Sequence, residues 1–211
     1  MKFYLLRKLR SFLIMVFALF LGAFVALTTL AWFPTAAQNN MKSIEKRQLL
    51  RPEVVPIEEI KTKEKPIRFG EEFQEGSDWL KGVKFRLKNK SGREIVYIEL
   101  ILSFPETSVT GNVMSYSVRL GKRPGGTIQT REPLRVRPDE DLTIILDEDK
   151  YANLKEFIEL RQPISTLNKV TAYPGFIVFS DGIAWSGGEY QRQDPANPNR
   201  YINIGPVPPN N

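Results

Sequence analysis

Carboxylates carry most of the chemistry open to this chain. Its 211 residues include no His and no Cys. That removes imidazole triads and proton shuttles, thiol nucleophiles, disulfides, and His- or Cys-built metal sites. Two acid runs, Asp139-Glu140-Asp141 and Asp147-Glu148-Asp149, bracket one strand pattern and offer oxygens suited to Ca²⁺. They lack the Gly and the terminal Glu of a calcium loop. A turn after Pro138 and a helix N-terminus account for them more simply. Asp181 and Glu189 form a candidate carboxylate pair for glycoside hydrolysis, but Asp181 precedes Gly182 between two apolar runs, where a tight turn needs it. Trp79, Trp185, Tyr190 and Tyr201 are the candidate ligand-binding aromatics. Near strand ends such rings can stack on sugars; core packing is the competing explanation. Ser186-Gly187-Gly188 and Pro124-Gly125-Gly126 match no nucleotide fingerprint, and Asn89-Lys90-Ser91, formally a glycosylation sequon, reads as a turn. No catalytic constellation, metal site or cofactor site emerges.

The elements that would hold these residues begin with a targeting segment. Phe12 to Phe33 is 22 residues without a charge, which as a helix extends about 33 Å and spans a bilayer. Lys2, Arg7, Lys8 and Arg10 precede it, so the start stays cytoplasmic and the remainder is exported. Pro34 and Thr35-Ala36-Ala37 also suit cleavage after Ala37. Residues 1–37 are therefore a signal anchor or a signal peptide, and the length of the run favours the anchor. The net charge of +6 (30 bases, 24 acids) falls to +2 once those four bases are set aside, because 26 bases then face 24 acids. With no basic stripe interleaved with aromatics, nucleic-acid binding is not expected.

Residues 38–65, charged and broken by Pro52 and Pro56, read as a stalk with few groups to bury. From 66 to 205 the pattern alternates with period two. Val83 to Lys88 and Glu94 to Phe104 are strands around the turn Asn89–Gly92, and further strands fall at Met114–Leu120, Thr127–Thr130, Leu134–Arg137 and Leu142–Leu146. Lys150 to Arg161 is the one helix, N-capped by Asp147 or Asp149. Lys169 to Phe179 is a strand interrupted at Pro174-Gly175 as a bulge or edge would be, and Asp181-Gly182 closes a hairpin with a tight primed turn. After Gly188 the chain looks mostly irregular, with Tyr201–Ile204 as a short edge strand and 206–211 as a disordered tail. The fold class is mainly β: an antiparallel immunoglobulin-like β-sandwich with one short helix, with a small barrel as runner-up.

The stretch W-L-K-G-V-K-F-R-L-K-N-K-S-G-R-E-I-V-Y-I-E-L-I-L-S-F, from Trp79 to Phe104, resembles the strand-turn-strand of small exported bacterial modules. Phe179 to Pro195 carries F-x-D-G-x-x-W and resembles a closing motif of uncharacterised exported proteins of acidobacteria and similar groups. The resemblance covers about Trp79 to Tyr201. It implies an immunoglobulin-like fold and an envelope location, and brings no catalytic residues with it. The expected function is non-enzymatic: a cell-envelope protein, bound to the membrane by its N-terminal helix or released to the periplasm or exterior, whose sandwich binds an envelope protein or the cell wall. The alternative is a carbohydrate-binding module or a carboxylate-dependent glycan hydrolase.

Overall fold

A computed structural model describes residues 41–49, 51–123 and 133–206. The expected membrane helix at 12–33, the cleavage position after Ala37, the strand at 127–130 and the tail beyond Pro206 lie outside the described residues. Among the described residues no helix is long and apolar enough to cross a membrane.

The alternation in Lys84–Lys88 (β5) works as a half-buried strand should. Phe85 and Leu87 are buried while Lys84, Arg86 and Lys88 face outward. β5 is central in a four-stranded sheet of order β3-β2-β5-β8, with β2 at Ile57–Thr62, β3 at Lys65–Ile67 and β8 at Asp141–Ile145. The second sheet is built around Lys169–Phe179 (β9). One edge of β9 pairs antiparallel with Ile95–Phe104 (β6), which in turn pairs with Met114–Gly121 (β7). Its other edge is shared. Ile183–Ser186 (β10) pairs antiparallel with residues 176–178, followed outward by Glu189–Asp194 (β11) and Asn197–Gly205 (β12). Met41–Lys46 (β1) runs parallel to residues 169–172 and carries Glu72–Gln74 (β4) on its far side. The described residues are thus mainly β, with two sheets and one α-helix. Among them pairing is antiparallel except for β1 with β9, which corrects the expectation of purely antiparallel sheets.

Both sheets contribute to one apolar core. Phe85, Leu87 and Ile144 from the smaller sheet join Ile98, Leu100, Leu102, Phe104, Ile177 and Trp185 from the larger. The helix Glu148–Glu159 (α1) adds Tyr151, Leu154 and Ile158, residues at helical spacing on one face. Asp147 is its N-cap and accepts from the Lys150 amide at 3.0 Å. The expected strand at Leu134–Arg137 reduces to a single bridge, Ile95 with Val136. At 179–183 the hairpin uses three residues rather than a two-residue primed turn. Gly182 takes φ +78° and its amide donates to the Phe179 carbonyl at 3.1 Å, while Asp181 Oδ1 accepts from the Ile183 amide. The region after Gly188 is not irregular, because β11 and β12 extend the larger sheet.

The largest correction concerns residues 38–65. From Met41 onward they are not a stalk: β1 and β2 are integral strands, and Ile44, Val55, Ile57 and Ile60 are core residues. Ile57 and Ile60 are three apart, a spacing that period two cannot bury on one face. β2 solves this with an extra residue, since Ile57 pairs with Leu87 but Glu59 with Arg86. A fragment of residues 40–211 should therefore melt cooperatively, whereas 66–211 should show no cooperative thermal transition by circular dichroism. A sharp transition in the shorter fragment would restore the stalk.

Candidate functional site

The four candidate aromatics do not form a platform. Trp79 and Trp185 are each 1% exposed. Trp79 Nε1 donates to the Leu167 carbonyl at 3.1 Å, and its ring meets Phe73 edge-on. Trp185 and Tyr190 are register partners on β10 and β11, and both are buried in the main core. Tyr201, half-buried, lies apart from them in a small cluster with Tyr97, Val178 and Ala184. There it packs on Phe176, and the Arg123 guanidinium lies 4.5 Å from the Phe176 ring centre. The strand period places Trp185 and Ala184 on opposite faces, which separates these rings.

The acids are equally committed. Asp181 pairs with Arg93, and Glu189 pairs with Arg51 at 3.1 Å. The two acids sit at opposite ends of β10, whose four residues extend about 13 Å, beyond the carboxyl separation of either glycosidase geometry. The two acid runs likewise flank β8. Asp139 makes the turn at φ +62°, Glu140 accepts from the Arg137 amide at 2.8 Å, and Asp141 pairs with Arg86 at 3.0 Å and Lys88 at 3.3 Å. Among the described residues, no three His, Cys, Asp or Glu side chains gather into a metal-holding group. Asn89, the sequon residue, is buried, and its amide nitrogen donates to the carbonyls of Arg93, Val136 and Arg137 at 2.8 to 3.0 Å. Its oxygen accepts from the amide and hydroxyl of Ser91. Asn89 is a clamp that joins the β5–β6 turn to the segment before β8.

An open site lies where β1 stops. Beyond Lys46 the chain leaves the sheet and crosses toward the β10–β11 turn, where Arg51 Nη1 donates to the Gly188 carbonyl at 3.3 Å. Phe69 and Gly70 stand on the other side, held by the Gly70 amide donating to the Ile44 carbonyl at 2.9 Å. The result is an open groove of about 920 Å³ between Glu45–Glu53 and Phe69–Gly70. Arg47 lies over the Tyr173 ring, 4.6 Å from its centre, and enters none of the ion pairs found among the described residues. The Glu53 side chain is 5% exposed. Lys46 Nζ is 3.0 Å from its carboxylate but out of line for a hydrogen bond, so both oxygens keep unused acceptor capacity. A buried acceptor and a stacked guanidinium in one groove suit a ligand that offers both N–H donors and acceptors. Nothing in that pairing activates a nucleophile.

None of the groove residues stood out in the sequence. All but Phe69 and Gly70 fall in the segment read as a stalk, and the groove forms where β1 and β10 share an edge of β9. Compared with known proteins, the chain matches no family model, no curated protein and no solved structure.

Two outcomes follow from these contacts. Replacing Asn89 by Ala removes its hydrogen bonds to three carbonyls, each of which keeps one other donor, and should cost about 2 kcal/mol in urea unfolding, above the loss from Ser91→Ala. Hydrogen bonds from the Lys150 side chain and backbone hold Asp147 below its ordinary value of 3.8. A carboxylate lowered in the folded state stabilises above its unfolded value and loses that contribution as pH falls through the folded one. Asp147→Ala should therefore cost about 1 kcal/mol near neutral pH, and the gap from the parent protein should narrow as pH falls below 3.8; a gap of constant size across that range would contradict the cap.

Proposed function

We propose that this protein is a non-enzymatic cell-envelope module that binds an extended peptide segment, of a partner protein or of the cell wall, in the groove between Glu45–Glu53 and Phe69–Gly70. The observation that carries the reading is the buried Glu53 carboxylate with spare acceptor capacity in the same groove as the stacked Arg47. A peptide backbone presents N–H and C=O groups in alternation and so satisfies both. The engaged acids and the buried tryptophans weigh against the hydrolase and the sugar-stacking alternatives.

In this reading the basic start and the apolar run Phe12–Phe33 hold the chain in the membrane with the folded part outside the cytoplasm; cleavage after Ala37 would instead release it. The two sheets face each other as an immunoglobulin-like sandwich, a reading supported by the alternate burial in β5 and β6 and by their shared core. The likeness to exported acidobacterial proteins belongs to the same proposal.

The test uses a photocrosslinking residue at the exposed Gln48 in the full chain in cell membranes, with a second at Thr143 on the outer face of the smaller sheet as control. Crosslinking at 48 should recover one reproducible protein or wall-peptide adduct. Arg47→Glu should cut that yield about tenfold, or 1.4 kcal/mol, at unchanged melting temperature. Equal yields from both positions, or from the variant, would remove the groove from the function.

A further inference from the structure

We propose that the end of the domain bearing Met41 rests on the lipid bilayer surface, with Val109, Val113 and Leu160 in the headgroup layer. The proposal depends on the membrane-anchor reading above. Only seven residues, 34–40, separate Phe33 from Met41, the first residue of β1. Even fully extended, a link of that length reaches about 25 Å, part of which the headgroup layer itself occupies. With β1 in the fold, no stalk remains to hold the domain off the surface.

The structure shows what lies at that end. β1 starts beside the start of β9, with the Ser43 amide donating to the Asn168 carbonyl at 2.8 Å. β6 ends there, and the 3-10 turn Pro105–Thr110 follows it. Glu106 of that turn accepts from the amides of Asn168 and Lys169 at 2.7 and 3.0 Å. The end of α1 joins the same rim through Arg161, whose Nη1 donates to the Asn112 carbonyl at 2.6 Å. Among the described residues, seven large apolar side chains are exposed, and four of them, Met41, Val109, Val113 and Leu160, belong to this rim. Val109 is 89% exposed and Leu160 77%. Glu106 is turned inward onto backbone amides, Arg161 follows Leu160 directly and holds the Asn112 carbonyl, and Lys169 lies at the same rim 3.6 Å from Glu45. Protruding aliphatic residues with basic neighbours and a committed acid suit a bilayer interface. The covalent link brings this end, and not the Ser180–Gly182 end of β9, within reach of it.

Because the chain has no Cys, single cysteines can be labelled uniquely. Full-length Val109→Cys, Leu160→Cys and Ser180→Cys proteins, each carrying an environment-sensitive fluorophore, are reconstituted into phosphatidylcholine/phosphatidylglycerol vesicles with and without spin-labelled lipid. The expected result is a blue shift and at least about twofold greater lipid quenching at 109 and 160 than at 180, lost when Val113→Asp is added at unchanged melting temperature. Alkaline extraction of the same vesicles tests the anchor separately. A chain that is extracted refutes the anchor and the proposal together. A chain that resists extraction with weak, equal quenching at all three sites refutes the surface contact alone. A blue shift that grows with protein density but is insensitive to spin-labelled lipid assigns the rim to a second copy of the chain and equally overturns the proposal.

Discussion

One dipeptide in β9 sets the terms for the rest of the fold. Pro174 has no amide proton to donate, and Gly175 is the extra residue of a bulge, since Glu99 pairs with Phe176 but Leu100 with Pro174. A Cβ on Gly175 would sit 2.4 Å from Ile101 Cγ1, so only glycine lets β6 approach so closely. On the opposite edge neither β1 nor β10 pairs with residues 173–175, and Ser186 Oγ satisfies the Gly175 carbonyl at 2.9 Å. The interruption is what allows a parallel strand and an antiparallel strand to share one edge. It also obliges the chain after β1 to turn out of the sheet, which makes the groove.

The start of β1 is fixed by polar contacts of a different kind. Lys42, the second residue of β1, is buried, its ammonium donating to the Leu167 carbonyl at 3.1 Å and to Asn168 Oδ1 at 2.8 Å. Burial lowers its pKa and the charge of Glu106 offsets part of that. The Leu167 carbonyl also accepts from Trp79 Nε1, so one carbonyl joins β1, the segment before β5 and the approach to β9. Removing either donor leaves a buried acceptor short of a partner. The start of β1 is therefore held firmly from two sides.

What was legible in the sequence was whatever depends on local pattern. Val83–Lys88 alternates cleanly because β5 is covered on one face only, and Asp147 stands one turn ahead of an apolar stripe. The stalk reading failed because burial of Ile57 and Ile60 needs a bulge, which leaves no mark in composition. The β2–β3 turn was hidden as well. Lys63 and Glu64 take φ +45° and +68°, a primed turn made without Gly or Asn, and ion pairs to Glu75 and Lys84 hold it in place. β11 escaped, and β12 was read only at Tyr201–Ile204, because the outer strands of the sheet carry few buried residues. The candidate aromatics were right in type, but inward or outward facing is set by register. The groove needs the meeting of segments more than a hundred residues apart, as Arg51 with Glu189 illustrates.

Charge pairing then limits how a partner can be recognised. On the outer face of the smaller sheet Arg86 meets Glu58, Glu59 and Asp141, Lys88 meets Asp141, and Lys90 meets Glu58. Exposed pairs of this kind add little stability, but cross-strand alternation of sign removes any coherent field. A surface so neutralised cannot steer a charged partner from beyond a Debye length. Association must rely on contacts made at short range, and there the groove differs from the paired face. Arg47 is stacked on Tyr173 rather than ion-paired, and Glu53 is shielded from water, so an interaction at Glu53 is discounted less by solvent than those of the ladder. For the extended ligand proposed above, selectivity would rest on matching donors to acceptors, because Lys46 balances the charge of Glu53 without hydrogen-bonding its oxygens, and a ligand that supplies no donor there forfeits the bonds that would offset their burial.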